Sequence, residues 1–112
     1  QFRSNLLSNL RPPGALPMVT IESILQPQAS VVYTEINEEE AVIWHMDIQE
    51  MYTLNLTGIR IWTGIQEGLS VMAISHRLVQ EFEVEEARAT ASVIALIQEL
   101  LKRDLVTIQG PA

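Results

Sequence analysis

The stretch YTLNLTGIRIW, residues 52–62, decides how the rest of the chain is read. Tyr52, Thr53 and Leu54 continue a run of strand formers that begins at Glu50. From Leu56 onward the apolar residues recur at helical spacing: Leu56, Ile59, Trp62 and Ile65 fall along one stripe. Only Asn55 stands between the two patterns. Asparagine caps helices well, because its side-chain oxygen can accept from an amide of the first turn, here that of Thr57 or Gly58. The joint therefore predicts a strand whose last residue starts a helix, and the helix ends near Gly68. No loop is left there to hold a catalytic group.

Upstream, SVVYTEI (30–36), AVIWHMD (41–47) and EMYTLN (50–55) predict three strands, being rich in β-branched and aromatic residues. NEEE makes a solvated turn between the first two. Ile48 and Gln49 are the only link between the second and third, short enough to imply an antiparallel hairpin, so a meander is expected. Downstream, Ser70 caps a second helix with Val71, Ile74, Leu78 and Phe82 on one face. A third helix runs from about Glu85 to Arg103, acidic at its start and basic at its end as the helix dipole prefers. Val93, Ile97, Leu100 and Leu101 form its core stripe, and Ala87, Ala89, Ala91, Ala95 and Leu96 widen it into a small-residue surface. LVTI (105–108) closes the domain as a short strand. The expected class is α+β, a three-stranded antiparallel sheet followed by three helices.

At 112 residues the chain makes one domain, and 47% hydrophobic with 19% charged residues is a globular composition rather than a disordered one. Residues 1–17 read as an N-terminal tail and linker, since RPPGALP disfavours helix and sheet alike. The chain does not begin with Met, and Met18 follows the linker, so part of that segment is a candidate for an added or over-extended start. The domain proper is expected over 18–112, with NLLSNL seeking an apolar groove on its own domain or on a second copy.

Charge and composition exclude several functions. Fourteen Asp and Glu against seven Lys and Arg, a net charge of −7, repel a phosphate backbone. Without cysteine there is no disulfide framework, thiolate nucleophile or thiolate-held metal. No apolar run spans a bilayer and no signal pattern opens the chain, so a soluble cytoplasmic protein is expected. His45 and His76, on a strand and a helix, lack metal-ligand spacing and are expected at or near the surface. Ser70 and Thr57 start helices, no nucleophile elbow or phosphate loop is present, and the acids of NEEE and EVEE suit a turn and a helix start. No catalytic residue, metal or cofactor is expected.

A three-stranded meander exposes two edges whose free amides and carbonyls invite another strand. Where one edge runs beside the small-residue side of a helix, an extended peptide would fit. In their order and spacing, YTLNLTGIRIW, EGLSVMAISHRLVQEFEVE and VIALIQELLKRDLV resemble the PqqD family, small domains also called RiPP recognition elements. The resemblance covers residues 30 to 106. It implies a winged helix-turn-helix-like fold that binds the leader of a ribosomally made precursor peptide and presents it to a modifying enzyme, a peptidase, cyclase or radical SAM enzyme. In such domains the leader adds as a strand beside the third strand and packs on the third helix. Carried over, the groove uses Gln49, Glu50, Met51, Tyr52 and Thr53 on the strand side, and Glu85, Arg88, Ala89, Ser92 and Leu96 on the helix side.

Two positions depart from relatives. Ser92 stands where an acidic residue is common, which bears on leader specificity, and Asp104 stands where a glycine often follows the helix. AVIWHMD lacks the wording of members dedicated to pyrroloquinoline quinone (PQQ) biosynthesis, whereas LNLTGIRIW looks more like general or lasso-peptide members. The acidic balance favours a leader with basic or neutral flanks. Two alternatives remain open: a winged-helix DNA-binding regulator, opposed by Glu83, Glu85 and Glu86 at the start of the would-be recognition helix, and a dimerisation module, which is compatible with leader binding as a homodimer.

Overall fold

The computed structural model describes residues 18–111; the expected tail and linker, 1–17, lie outside the described residues. Eight elements follow one another: β1 (Ser23–Pro27), β2 (Val31–Asn37), β3 (Glu40–His45), β4 (Glu50–Leu54), α1 (Leu56–Gln66), α2 (Val71–Phe82), α3 (Glu86–Lys102) and β5 (Val106–Pro111). β2, β3 and β4 form the expected antiparallel meander in that order. β1 and β5 pair antiparallel in a second, two-stranded sheet. The sequence reading anticipated β5 and missed β1. SILQP offers few apolar positions and ends in a proline, and its partner lies at the far end of the chain, so nothing local marks it.

Alternation along the central strand sets the two faces of the meander. Ala41, Ile43 and His45 are buried, and in register with them stand Leu54, Tyr52 and Glu50 on β4. This inner face packs on α1, where the Tyr33 and Trp62 rings stack with centroids 6.2 Å apart. The outer face carries Val32, Trp44 and Met51 in one cross-strand row, all exposed. The hydrophobic core runs from the inner face through Ile59, Trp62 and Ile65 of α1 to Ile74 and Leu78 of α2 and Val93, Ile97 and Leu100 of α3.

The strand-to-helix joint forms as the sequence predicts. Asn55 is the N-cap of α1, and its Oδ1 accepts from the Gly58 amide at 2.9 Å. Gly64 permits close approach of α1 and α2, because a Cβ there would stand 2.7 Å from Ile74 Cγ1. Ser70 Oγ accepts from the Ala73 amide at 3.2 Å and starts α2. Glu83, at φ 55°, ends α2 in the left-handed region, and α3 begins three residues later.

Three local expectations need correction. The β3–β4 link is a four-residue turn, Met46–Gln49, rather than two residues. Met46 donates to the Ser30 carbonyl and Asp47 accepts from the Ser30 hydroxyl at 2.6 Å, which draws both residues toward the start of β2. Gln49 completes the turn at φ 55°, within the link where the sequence reading had also placed it. NEEE is tighter than expected: Asn37 and Glu40 belong to the strands, leaving Glu38 and Glu39 as the turn. Finally, His45 is buried at 3% exposure, not at the surface, because its strand position faces inward beside Ala41 and Ile43. Asp104, left-handed at φ 63°, lies 3.5 Å from His45 Nε2 and accepts from Gln28 Nε2 at 2.7 Å. The aspartate in the place of a glycine thus joins the end of α3 to the meander and to the segment after β1.

Candidate functional site

β4 is the outer strand of the meander, bonded to β3 on one side only, so along its free side backbone amides and carbonyls lack a ladder partner among the described residues. α3 runs beside that edge in the opposite direction: its C-terminal Arg103 meets Glu50 and Tyr52 near the start of β4, and Ser92, half a helix earlier, faces the end of the strand. Between strand and helix lies an open cleft of about 620 Å³, lined on one side by Tyr52, Thr53 and Leu54 and on the other by Ser92, Ala95 and Leu96. Its floor is Gly58 and Ile61 of α1. Small residues on the facing side of α3 keep the cleft open, since bulkier ones would fill the gap that strand edge and helix leave.

At one end of the cleft Tyr52 is held from the side of α3. The Arg103 guanidinium lies 4.9 Å from the centroid of the Tyr52 ring, donates to Glu99 at 2.7 Å and stands 3.7 Å from Glu50. Hydrogen bonding to Glu99 is the main reason its pKa is held above the ordinary arginine value. The other end opens into a smaller pocket of about 190 Å³ beside the first turns of α3, lined by Leu78, Phe82, Val84, Arg88 and Ala89. Thr57 and Ser92 line both spaces and form the passage between them.

Of the ten residues singled out from sequence, Tyr52, Thr53, Ser92 and Leu96 line the main cleft, and Arg88, Ala89 and again Ser92 line the smaller pocket. Ala89 is buried, at 2% exposure, so it forms the wall of that pocket rather than an outward surface. Glu50, Met51, Gln49 and Glu85 line neither space. Glu50 is engaged by Arg103, Met51 points to the outer face beside Trp44, Gln49 sits in the turn, and Glu85 is the N-cap of α3. Sequence reasoning missed Thr57, Phe82 and Val84. Phe82 was assigned wholly to the core stripe of α2, and only its place at the helix end leaves it half-buried and facing a gap.

The walls are mixed in character. They offer two charged side chains, Glu40 in the main cleft and Arg88 in the smaller pocket, hydroxyls at Tyr52, Thr53, Thr57 and Ser92, the Asn55 amide, and apolar surface between them, with main-chain groups along β4. Among the described residues no group of three or more His, Asp or Glu is placed to hold a metal ion. His76 stands 3.2 Å from Glu86 on the far side of α2 and α3, exposed, and has no part in the cleft. No helix among the described residues is long and apolar enough to cross a membrane.

These features define a class: an α+β domain of winged-helix type with an open sheet edge beside its last helix. The family described as Coenzyme PQQ synthesis protein D (PqqD) matches residues 40–106, from the start of β3 to the start of β5, and the chain belongs to this family. Two solved structures share the fold. One, "TbiB1 in Complex with the TbiA(beta) Leader Peptide", is 23% identical with a TM-score of 0.68 over 78% of this chain and 98% of that one. The other, "Lasso peptide synthetase B1 complexed with the leader peptide", is 20% identical with a TM-score of 0.69 over 74% of this chain and 96% of that one. Comparison with curated protein sequences returned no match.

Proposed function

We propose that this chain is a non-catalytic recognition domain that binds the leader of a ribosomally synthesised precursor peptide by strand addition to β4 and presents it to a modifying enzyme. The observation that carries this reading is the pairing of an open strand edge with a cleft along the same strand, walled by apolar and small polar residues. Ladder bonds to an added strand contribute about 0.5 to 1.5 kcal/mol each and set register, and side chains entering the cleft supply selectivity. Both solved relatives are complexes with leader peptides, which supports carrying the ligand class over to this fold.

The enzyme served would be a peptidase, a cyclase or a radical SAM enzyme, and the likeness to lasso peptide synthetase B1 favours a lasso-type pathway. The binding unit is residues 18–112, acting in the cytoplasm, with residues 1–17 as an appendage. DNA reading is disfavoured by charge, since Glu83, Glu85 and Glu86 all stand exposed where a recognition helix would meet phosphates.

Ser92→Arg tests the proposal. Ser92 is exposed, so the longer side chain leaves the core alone and projects into the passage between cleft and pocket. Affinity for a peptide selected from a displayed library for binding to the wild-type chain with protection of the β4 amides should fall by roughly tenfold or more, with circular dichroism unchanged. Equal affinity in the variant would place binding elsewhere.

A further inference from the structure

The chain carries twice as many acidic as basic residues, so its arginines have carboxylates to spare. Among the described residues Arg60 meets Glu81 at 2.9 Å, Arg77 meets Glu67 at 2.8 Å and Arg103 meets Glu99 at 2.7 Å. Arg88 alone of the described arginines has no carboxylate of the described residues within 4.0 Å. Glu85, one turn earlier on the same helix, makes no pair with it, and Glu86 is engaged by His76. Arg88 stands on the rim of the smaller pocket, whose walls of Leu78, Phe82, Val84 and Ala89 are otherwise apolar. That pocket, of about 190 Å³, has room for one large aliphatic or aromatic side chain and joins the main cleft through Thr57 and Ser92.

We propose that Arg88 and this pocket read an acidic–apolar pair in the bound peptide: an apolar side chain fills the pocket while a carboxylate one or two residues away takes the Arg88 guanidinium. This rests on strand addition at β4 and names what the peptide must carry where it leaves the strand. Guanidinium and carboxylate match in a two-pronged hydrogen bond, stronger than a neutral one and dependent on geometry. An uncommitted arginine beside apolar walls supplies it without first breaking an internal pair. The net charge of −7 still favours basic or neutral residues elsewhere in the peptide, because it acts at a distance and is screened by salt, whereas Arg88 acts at contact. The two preferences thus apply to different positions of one ligand.

The test is selection of random peptides from a displayed library, run in parallel on the full wild-type chain, on Arg88→Glu and on Arg88→Lys. Arg88 is exposed, so each variant should fold, and circular dichroism checks it. Wild type and Arg88→Lys are expected to enrich peptides with Asp or Glu beside an apolar residue, and Arg88→Glu to enrich Lys or Arg at the same register. For a selected peptide, replacing that acid by Gln should weaken wild-type binding by about tenfold. Hydrogen exchange reads where the peptides sit. Peptides that shield the β4 amides yet show no acidic preference, or the same preference on Arg88→Glu, overturn the role of Arg88 and leave strand addition standing. If no selected peptide shields β4, strand addition and the acidic–apolar pair fall together.

Discussion

Arg103, the C-cap of α3, covers the ring of Tyr52 on the neighbouring strand edge, with 4.9 Å between guanidinium carbon and ring centroid. Strand and helix therefore meet at one end of the cleft and diverge toward the other. The contact holds the width of the groove, since Tyr52 belongs to the edge that a peptide would join.

Arg103→Ala should leave the secondary structure intact and weaken peptide binding roughly two- to fivefold, the scale of one exposed cation–π contact. Arg103→Lys keeps the charge but loses the flat stack and should fall between the two. Fluorescence anisotropy with a labelled leader decides it; unchanged affinity in both variants would mean that the Arg103–Tyr52 contact has no influence on the ligand.

The joint between β4 and α1 depends on one side chain. Asn55→Ala removes the acceptor of the Gly58 amide and should destabilise the domain by about 1 kcal/mol, whereas Asn55→Asp should retain most of the cap. Urea unfolding monitored at 222 nm distinguishes the two, and equal midpoints for wild type and Asn55→Ala would remove the cap from the account.

At Gly64 two effects oppose each other. Alanine gains up to about 1 kcal/mol in helix propensity, but its Cβ would stand 2.7 Å from Ile74 Cγ1, and overpacking of this kind costs about 1–3 kcal/mol. The clash involves an inner carbon of a buried side chain, so the second effect wins. Gly64→Ala should lower the melting temperature, and a rise would show that α1 and α2 can separate cheaply.

Tyr33 gives a pH signature. Burial, and then hydrogen bonding to Glu35, push its phenol from 10.0 up to about 12 in the folded protein. The unfolded chain ionises first, so this stabilising contribution is complete below pH 10 and is lost as pH rises from about 10 to about 12. Tyr33→Phe lacks the phenol, and its stability should fall less steeply across that window. Parallel curves for the two proteins would contradict the shift.

Elements whose signal lies within a few residues were legible before any coordinates. Asn55 and Ser70 cap the helices they announce, and Ile59, Trp62, Ile65, Val93 and Ile97 are buried as their spacing requires. Half of the groove could be read the same way: a strand ending at Leu54 and small residues on α3 imply a cleft, and Tyr52, Thr53, Ser92 and Leu96 do line it.

What lay beyond the sequence depends on contacts between distant segments. β1 exists because β5 returns beside it, and His45 is buried because the inner face of the meander closes over it near Asp104. The turn at Met46–Gln49 lengthens because Ser30 draws Asp47 aside. The resemblance put Arg88 on the helix side of the groove, but only the fold set Phe82 and Val84 beside it and left it without a carboxylate partner among the described residues. Periodicity and capping act over one or two turns, so the chain alone determines its helices and its meander. Which edges stay open, which charges stay unpaired and where helix and strand diverge are set by packing across the whole domain, and only the tertiary structure decides them.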